Sequence, residues 1–196
     1  MPSTNIKKLT FAALCFCLVS VAWGGTFGKV IPVGGHASDI AIDEQRKVVY
    51  VANFTANRVE KVSMSEEKLG TPIEVAPQPY SLALSPGERY LAVAHYDGSV
   101  TILDLNSDTR TNFSIGSQPG GPRVLAVAFG SGSRALLVAE DGFRLLNPTD
   151  GSLQVVTPLP LDSKGLPVTF ATFPQEIVQV SVNVSRDGRY IVGLAG

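Results

Sequence analysis

The chain has 196 residues, of which 44% are hydrophobic and only 17% are charged. This balance excludes an acidic or basic disordered tail, a coiled coil and a collagen-like rod. The formal net charge of −1 at pH 7 supplies no basic surface for nucleic acid or anionic lipid, so the sequence predicts no nucleic-acid partner. On length alone the chain accommodates one compact domain or slightly more.

The N-terminal segment has the layout of a secretory signal peptide. Lys7 and Lys8 precede a 15-residue apolar run, residues 9–23, which leads into Gly24 and Gly25. At about 1.5 Å per residue the run spans roughly 22 Å, less than the roughly 30 Å hydrocarbon core of a bilayer. We therefore predict that residues 1–24 are cleaved, that the mature chain is secreted or periplasmic, and that it has no stable membrane span. An uncleaved anchor and a buried N-terminal helix are the alternatives.

Both cysteines, Cys15 and Cys17, lie inside this segment. The mature chain is therefore predicted to lack cysteine, which excludes a disulfide framework, a thiolate nucleophile and a Cys-based metal site after cleavage.

The rest of the chain is a repeat. Four similar turn segments begin at Asp43, Ser85, Gly130 and Ser185, at spacings of 42, 45 and 55 residues. Each follows a short apolar strand and leads into a second strand, as in a β-hairpin, and the second repeat continues with two more predicted strands. Four antiparallel strands in about 42 residues are typical of a β-propeller blade. No sustained helical period follows the signal segment, so the sequence predicts almost no helix.

One segment of the first repeat resembles the YVTN-type β-propeller repeat. Residues 49–53 read Val-Tyr-Val-Ala-Asn, with Ala52 where that family usually has Thr, and residues 35–42 and 57–62 extend the likeness. The pattern covers roughly residues 30–196, although the tetrapeptide occurs closely only once. The WD40 repeat is a weaker match, since Leu103-Asp104 stands where that family has Trp-Asp. The resemblance implies an exported propeller repeat protein of the WD40/YVTN-like kind.

The repeat period conflicts with the chain length. We predict an all-β partial propeller over residues 25–196, with about three and a half blades in repeats at about 31–76, 77–118, 119–174 and an incomplete 175–196. Closed propellers have four to eight blades, and an open stack exposes strand edges and apolar faces. The preferred interpretation is the N-terminal part of a longer propeller. A chain that closes by self-association through its open blade edges, or with a partner, and a different compact β fold are the alternatives.

Blade geometry predicts a ligand-binding face at one mouth of the channel. In propellers of this kind, the loops that join blade to blade and second strand to third surround that mouth, and ligands bind where such loops converge. The predicted face comprises eight residues: His36, Asn53, Tyr80, His95, Tyr96, Asp97, Arg123 and Glu140. Phe54, Asp141 and Gln175 accompany them. The ligand is an unknown protein or small molecule.

Other chemistry is less well supported. The two histidines with Glu140 or Asp141 could supply metal ligands, but they occupy non-equivalent repeat positions without ligand spacing. Asp141-Gly142 is a turn dipeptide, and the glycine-rich stretch 116–122 lacks the lysine and helix of a phosphate loop. No Gly-x-Ser-x-Gly elbow or spaced Ser, His and Asp set is present. The Pro-rich stretch 157–174 is predicted to be an insertion between two blades. The sequence predicts no catalytic residue, metal or cofactor.

Two classes of function remain open. The first is an exported binding or scaffolding module. The alternative, which resemblance to propeller families implies, is an enzyme of the lactonase or quinoprotein-like type whose site residues lie partly beyond this chain.

Overall fold

A computed structural model describes residues 28–115, 122–140, 142–156, 180–185 and 187–195. The predicted signal peptide, the glycine-rich connector up to residue 121, Asp141, the Pro-rich stretch and Gln175 lie outside the described residues. Within the described ranges the chain forms strands and no helix. The same residues contain no apolar helix long enough to span a membrane.

The strands form antiparallel sheets in which sequence neighbours pair. The first sheet contains β1 (Ala37–Asp43), β2 (Val48–Asn53), β3 (Arg58–Ser63), β4 (Lys68–Leu69) and β5 (Ile73–Glu74). The two short strands β4 and β5 both pair with β3 and together occupy the outermost position. Pro72 lies between them, and because proline has no N–H it cannot continue the ladder.

The other sheets repeat this order. The second contains β6 (Pro79–Leu84), β7 (Tyr90–His95), β8 (Ser99–Asp104) and β9 (Thr109–Ser114). The third contains β10 (Val124–Phe129), β11 (Ala135–Ala139), β12 (Gly142–Leu146) and β13 (Leu153–Val155), and the fourth contains β14 (Val180–Val184) and β15 (Ile191–Ala195). We number these sheets as blades 1 to 4. The predicted all-β class with four-stranded antiparallel blades is confirmed.

Three of the inner strands carry the same irregularity. The pairing register shifts between Ala37 and Asp39 in β1, and at the corresponding place in β6 and β10. The residues at these bulges are Ser38, Tyr80 and Leu125, which therefore occupy equivalent positions. A bulge increases local twist and fixes the register of its strand, so the three blades begin with the same backbone geometry.

The core lies between the blades. Inner strand β1 packs against β6, β6 against β10, and β10 against β14. Tyr50 and Val59 of blade 1 share one buried cluster with Leu82, Leu91 and Val93 of blade 2. A second cluster joins blade 2 to blade 3 in the same way. Blades 1 and 2 therefore each bury an apolar face against the next blade.

Polar side chains also join neighbouring inner strands. The Oδ2 atom of Asp39 accepts hydrogen bonds from the Leu82 N–H at 2.8 Å and the Ser81 hydroxyl at 3.0 Å. The Ser81 oxygen in turn accepts from the Val127 N–H at 3.3 Å. Asp39 and Ser81 are equivalent in register, so blades 1 and 2 each offer a side-chain oxygen to the backbone of the following blade.

Candidate functional site

Six side chains from three blades meet near the start of the inner strands. We call this group the aromatic rim; it consists of His36, Phe54, Tyr80, Tyr96, Arg123 and Glu140. The ring centroids of His36 and Phe54 lie 6.1 Å apart, those of Phe54 and Tyr96 6.1 Å, and those of Tyr80 and Tyr96 6.3 Å. The first two contacts are edge-to-face, a geometry worth about 0.5–1.5 kcal/mol per pair beyond area burial.

The repeat explains why these residues meet. The N–H of Phe54 donates to the His36 carbonyl at 2.8 Å, and the N–H of Glu140 donates to the Arg123 carbonyl at 3.2 Å. In blade 2 the N–H of Tyr96 makes the corresponding bond to Gln78 at 3.1 Å. In each blade the residue after the second strand is thus bonded to a residue just before the inner strand. Phe54, Tyr96 and Glu140 are therefore equivalent positions on adjacent blades.

Arg123 is held in place by its neighbours. Its Cζ atom lies 5.1 Å from the centroid of the Tyr96 ring, and its Nη1 donates to the Tyr96 hydroxyl at 2.6 Å. Nε donates to Glu140 Oε1 at 2.6 Å, and the Arg123 backbone N–H donates to Oε2 at 2.9 Å. The hydrogen bond to Glu140 is the main cause that raises the pKa of Arg123 above its ordinary value. The guanidinium therefore keeps its charge and a fixed orientation.

The aromatic rim faces solvent. Tyr96 is 41% exposed, His36 is also exposed, and Phe54 and Tyr80 are half-buried. Tyrosine, arginine and other aromatic side chains dominate the energetic centres of protein interfaces, because they offer large contact areas with polar tips. The rim has the chemistry of a binding surface.

Two residues predicted for the ligand face are buried beneath it. Asn53 is 1% exposed and His95 is 0% exposed, at equivalent ends of β2 and β7. Asn53 Nδ2 donates to the Gly34 carbonyl at 2.7 Å and to Glu60 Oε1 at 3.2 Å. These buried side chains are not part of the rim's surface.

The buried imidazole of His95 has two close neighbours. Its Nε2 lies 2.8 Å from the Thr101 hydroxyl, and its Nδ1 lies 3.2 Å from the Pro77 carbonyl. Burial is the largest effect on its ionisation, and it lowers the pKa of His95 below the ordinary value. The interior therefore favours the neutral imidazole.

Asp97 occupies the turn between β7 and β8. Its Oδ1 accepts from the Ser99 N–H at 2.9 Å and from the Ser99 hydroxyl at 2.7 Å. Partial burial raises the pKa of Asp97, but the hydrogen bonds from Ser99 outweigh it, and the pKa is lowered overall. Asp97 is thus a turn-forming residue adjacent to the rim.

The structure brings five of the eight predicted residues into one cluster: His36, Tyr80, Tyr96, Arg123 and Glu140. Phe54 has only an accompanying place in the predicted face, yet its ring contacts both His36 and Tyr96. Its equivalence to Tyr96 in the hairpin register is the signal that identifies it.

Metal ligation has no support among the described side chains. Over those residues, no group of three or more His, Cys, Asp or Glu side chains is arranged to hold a metal ion. Asp141, one of the ligands considered from the sequence, lies outside them.

A cavity of about 380 Å³ opens between the inner strands of all four blades. Asp39, Ser81 and Asn183 contribute polar groups to its wall, and Tyr80 also lines it. Because the Tyr80 ring packs on Tyr96, the aromatic rim stands beside this cavity.

Comparison with known proteins identifies the fold. No family model matches the chain, and no curated protein matches its sequence. Among solved structures, Kuenenia stuttgartiensis hydrazine synthase matches with a TM-score of 0.59 and 14% identity over 86% of this chain and 44% of that chain. The β-propeller domain of Myceliophteria thermophila Cps50 (Swd1) matches with a TM-score of 0.60 and 14% identity over 83% of this chain and 50% of that one.

The WD40 repeats of RRP9 match with a TM-score of 0.53 and 15% identity over 62% of this chain and 39% of that chain. The chain spans half or less of the length of each of these matched chains. At such identities the likeness concerns the fold alone. Together with the sequential four-stranded blades, it shows that the chain has the fold of an open, partial β-propeller.

Proposed function

We propose that this chain is an exported β-propeller binding module whose aromatic rim docks a partner protein. The observation that carries the proposal is the continuity of the rim, in which blades 1 and 2 contribute aromatic side chains and blade 3 contributes an oriented arginine. The propeller fold shared with WD40 repeats places loops from successive blades side by side, where a partner can contact several of them at once.

The rim is suited to a protein partner in its chemistry. Phe54 and Tyr96 offer apolar ring surface at a low cost in side-chain entropy, since each ring has only two rotatable bonds. The Tyr96 hydroxyl accepts from Arg123, so its own hydrogen can be donated to a carbonyl of the partner. Because Glu140 already orients Arg123, the arginine side chain loses little conformational entropy when a partner binds.

Two rim variants test the docking surface. Proteins retained from an envelope extract by the wild-type chain are identified and then titrated individually against Phe54→Ser and Tyr96→Ser. Loss of an interface hot spot costs about 2 kcal/mol or more, so we expect at least a roughly 30-fold increase in Kd. Met64→Ser is the matched control, because Met64 is 45% exposed and lies outside the rim. Equal affinities for all four proteins would contradict the proposal.

Export is tested separately. The proposal rests on the charge and apolar run of residues 1–24. In a bacterial host we expect the chain in the periplasm or medium, with Gly25 as its first residue by N-terminal sequencing. Leu14→Asp interrupts the apolar run and is expected to retain the chain in the cytoplasm. A wild-type chain that stays in the cytoplasm with its first 24 residues attached would refute export.

A further inference from the structure

The cavity between the inner strands contains an acidic side chain without a cationic neighbour. Asp39 is the only charged residue among the described residues that line it. Asp43, Glu60 and Glu140, which are also wholly or partly buried, each pair with an arginine at 2.9 Å or less. None of the ion pairs found among the described residues includes Asp39. The cavity wall therefore carries a negative charge that no protein cation offsets within these residues.

The charge at position 39 exceeds what the fold requires. Asp39 joins blade 1 to blade 2 by accepting from the Leu82 N–H. Ser81, its equivalent in register, joins blade 2 to blade 3 by accepting from the Val127 N–H, so a neutral hydroxyl is sufficient for this kind of bond. Enclosing an ionised carboxylate costs free energy unless an opposite charge offsets the loss of water. A cationic ligand would supply that opposite charge.

The hydroxyl groups beside Asp39 act as acceptors towards a ligand. The Ser38 hydroxyl donates to the Pro79 carbonyl at 2.8 Å and to the Ala52 carbonyl at 3.3 Å. The Ser81 hydroxyl donates to Asp39 Oδ2 at 3.0 Å. Because each hydroxyl has one hydrogen, which the protein already uses, Ser38 and Ser81 offer only lone pairs to the cavity, and a carboxylate likewise only accepts. This part of the wall therefore favours a ligand with several N–H donors.

We propose that this cavity binds a primary amine in its protonated form, with the ammonium group donating to Asp39, Ser38 and Ser81. An ammonium group has three N–H donors and no acceptor, which matches these three acceptors in number and kind. A volume of about 380 Å³ lies within the range of small-molecule sites. This ligand site is separate from the docking of a partner protein on the aromatic rim.

The acceptors are built within two neighbouring blades. Ser38 and Asp39 belong to β1 and Ser81 belongs to β6, and these two inner strands pack against each other. Tyr80 also lines the cavity, and the face of an aromatic ring attracts a cation. The amino group can belong to a free amine or to a lysine side chain of a partner protein, since both present the same three donors.

Titration of the full chain with butylammonium chloride tests the site. The Leu82 amide donates to Asp39, so its resonance in a proton–nitrogen correlation spectrum reports on the carboxylate. We expect a saturable shift of this resonance with butylammonium, and none with butanol or sodium butyrate, which lack the ammonium group. A parallel titration with Nα-acetyl-lysine amide presents the lysine side chain, and the amine that binds more tightly identifies the source of the group. If neither amine gives a saturable shift, or if butanol gives the same one, the proposal is wrong.

Removal of the charge at position 39 tests the contact itself. Asp39→Asn keeps an oxygen that can accept from the Leu82 N–H, and Asp39→Ser copies the arrangement at Ser81. We expect each variant to raise the Kd for the amine at least roughly tenfold, because the charge-assisted hydrogen bond is lost. Asp108→Asn is the matched control, since Asp108 is exposed, lies outside the cavity and has a φ of 55° that asparagine also adopts. Circular dichroism and thermal melting verify folding, and an unchanged affinity in a folded Asp39 variant would contradict the proposal.

Discussion

The buried imidazole of His95 links stability to pH. Burial lowers its pKa in the folded chain below the ordinary value of 6.5. As pH falls below that value, the unfolded chain binds a proton that the folded chain does not, so the free energy of unfolding decreases until the folded pKa is reached. Well above pH 6.5 the imidazole is neutral in both states, so His95 causes no further change in the free energy of unfolding with pH.

We therefore expect a lower urea midpoint at about pH 5.5 than at about pH 7.5. His95→Asn should flatten this dependence, and asparagine is a reasonable replacement because Asn53 occupies the equivalent position in blade 1. His36→Asn, which removes the exposed histidine, is the matched control and should leave the dependence intact. An unchanged slope in His95→Asn would show that another group is responsible.

At this scale the sequence located loops better than it located side chains. Repeat spacing placed Tyr96 and Arg123 near one mouth, and their side chains do meet. Repeat spacing could not show that Tyr96 is exposed while His95 is buried. Successive residues of a strand point to opposite faces, so the exposure of each depends on the exact residue at which the strand ends. The strand β7 includes His95, which turns inward, and Tyr96 follows it on the surface.

At the scale of the element, one hairpin turn approaches the neighbouring blade closely. Gly98 ends the β7–β8 turn with φ of +85°, and a Cβ there would lie 2.6 Å from the Pro122 carbonyl oxygen. Gly87 has a similar φ of +76°, but nothing lies within 4 Å of its Cβ position. Both positions need glycine because φ is positive, and at Gly98 a side chain would also collide with the Pro122 carbonyl.

Substitution by alanine separates the two effects. Gly87→Ala should cost about 1–2 kcal/mol, since an L residue is disfavoured at this φ. Gly98→Ala should cost a further 1–3 kcal/mol or so, because the methyl group displaces the backbone of the blade connector. Urea unfolding of both variants measures the difference. Equal losses in the free energy of unfolding would mean that the backbone at Pro122 moves aside at no energetic cost.

Turn chemistry was the least predictable part of the elements. Lys47, Glu88 and Asp108 adopt φ of about 55°, in the left-handed region that favours glycine. Glu88 gains a compensating role, since its carboxylate accepts from the Glu44 and Gln45 N–H groups of blade 1 at 3.1 and 3.0 Å. Contacts of this kind join residues more than 40 positions apart and leave no local pattern.

At the scale of the whole molecule, the blades depend on one another. Leu91 of blade 2 is 0% exposed and lies in the cluster shared with blade 1. Leu91→Ala should therefore destabilise the chain by about 2–5 kcal/mol, the usual range for a buried leucine. Leu69→Ala is the control, since Leu69 is 38% exposed on a short outer strand.

We expect a single unfolding transition for Leu91→Ala, shifted to lower urea and detected alike by circular dichroism and tyrosine fluorescence. Neighbouring repeats that share cores lose stability together. Two separated transitions would show that blades 1 and 2 fold independently.

The all-β class and the order of the blades were readable from the sequence because alternating strands and turn segments recur every 42 to 55 residues. The division of the outermost strand of blade 1 into β4 and β5 could not be predicted, because strands of two residues have no measurable periodicity. Predicting the aromatic rim would have required knowing which residues are equivalent between blades. The hairpin register of the structure provides that equivalence.

The recurrent bulge has a consequence for how such a protein can change. At one backbone position, repeated in three blades, the chain carries a small hydroxyl, a phenol and an aliphatic group, in Ser38, Tyr80 and Leu125. Ser38 and Tyr80 also make side-chain contacts: the Ser38 hydroxyl donates to the Ala52 and Pro79 carbonyls, and the Tyr80 ring packs on Tyr96. All three residues line the central cavity, and each is skipped in the backbone pairing register of its strand. A substitution at one of these positions therefore changes the cavity lining contributed by one blade, while the pairing register of its sheet stays the same.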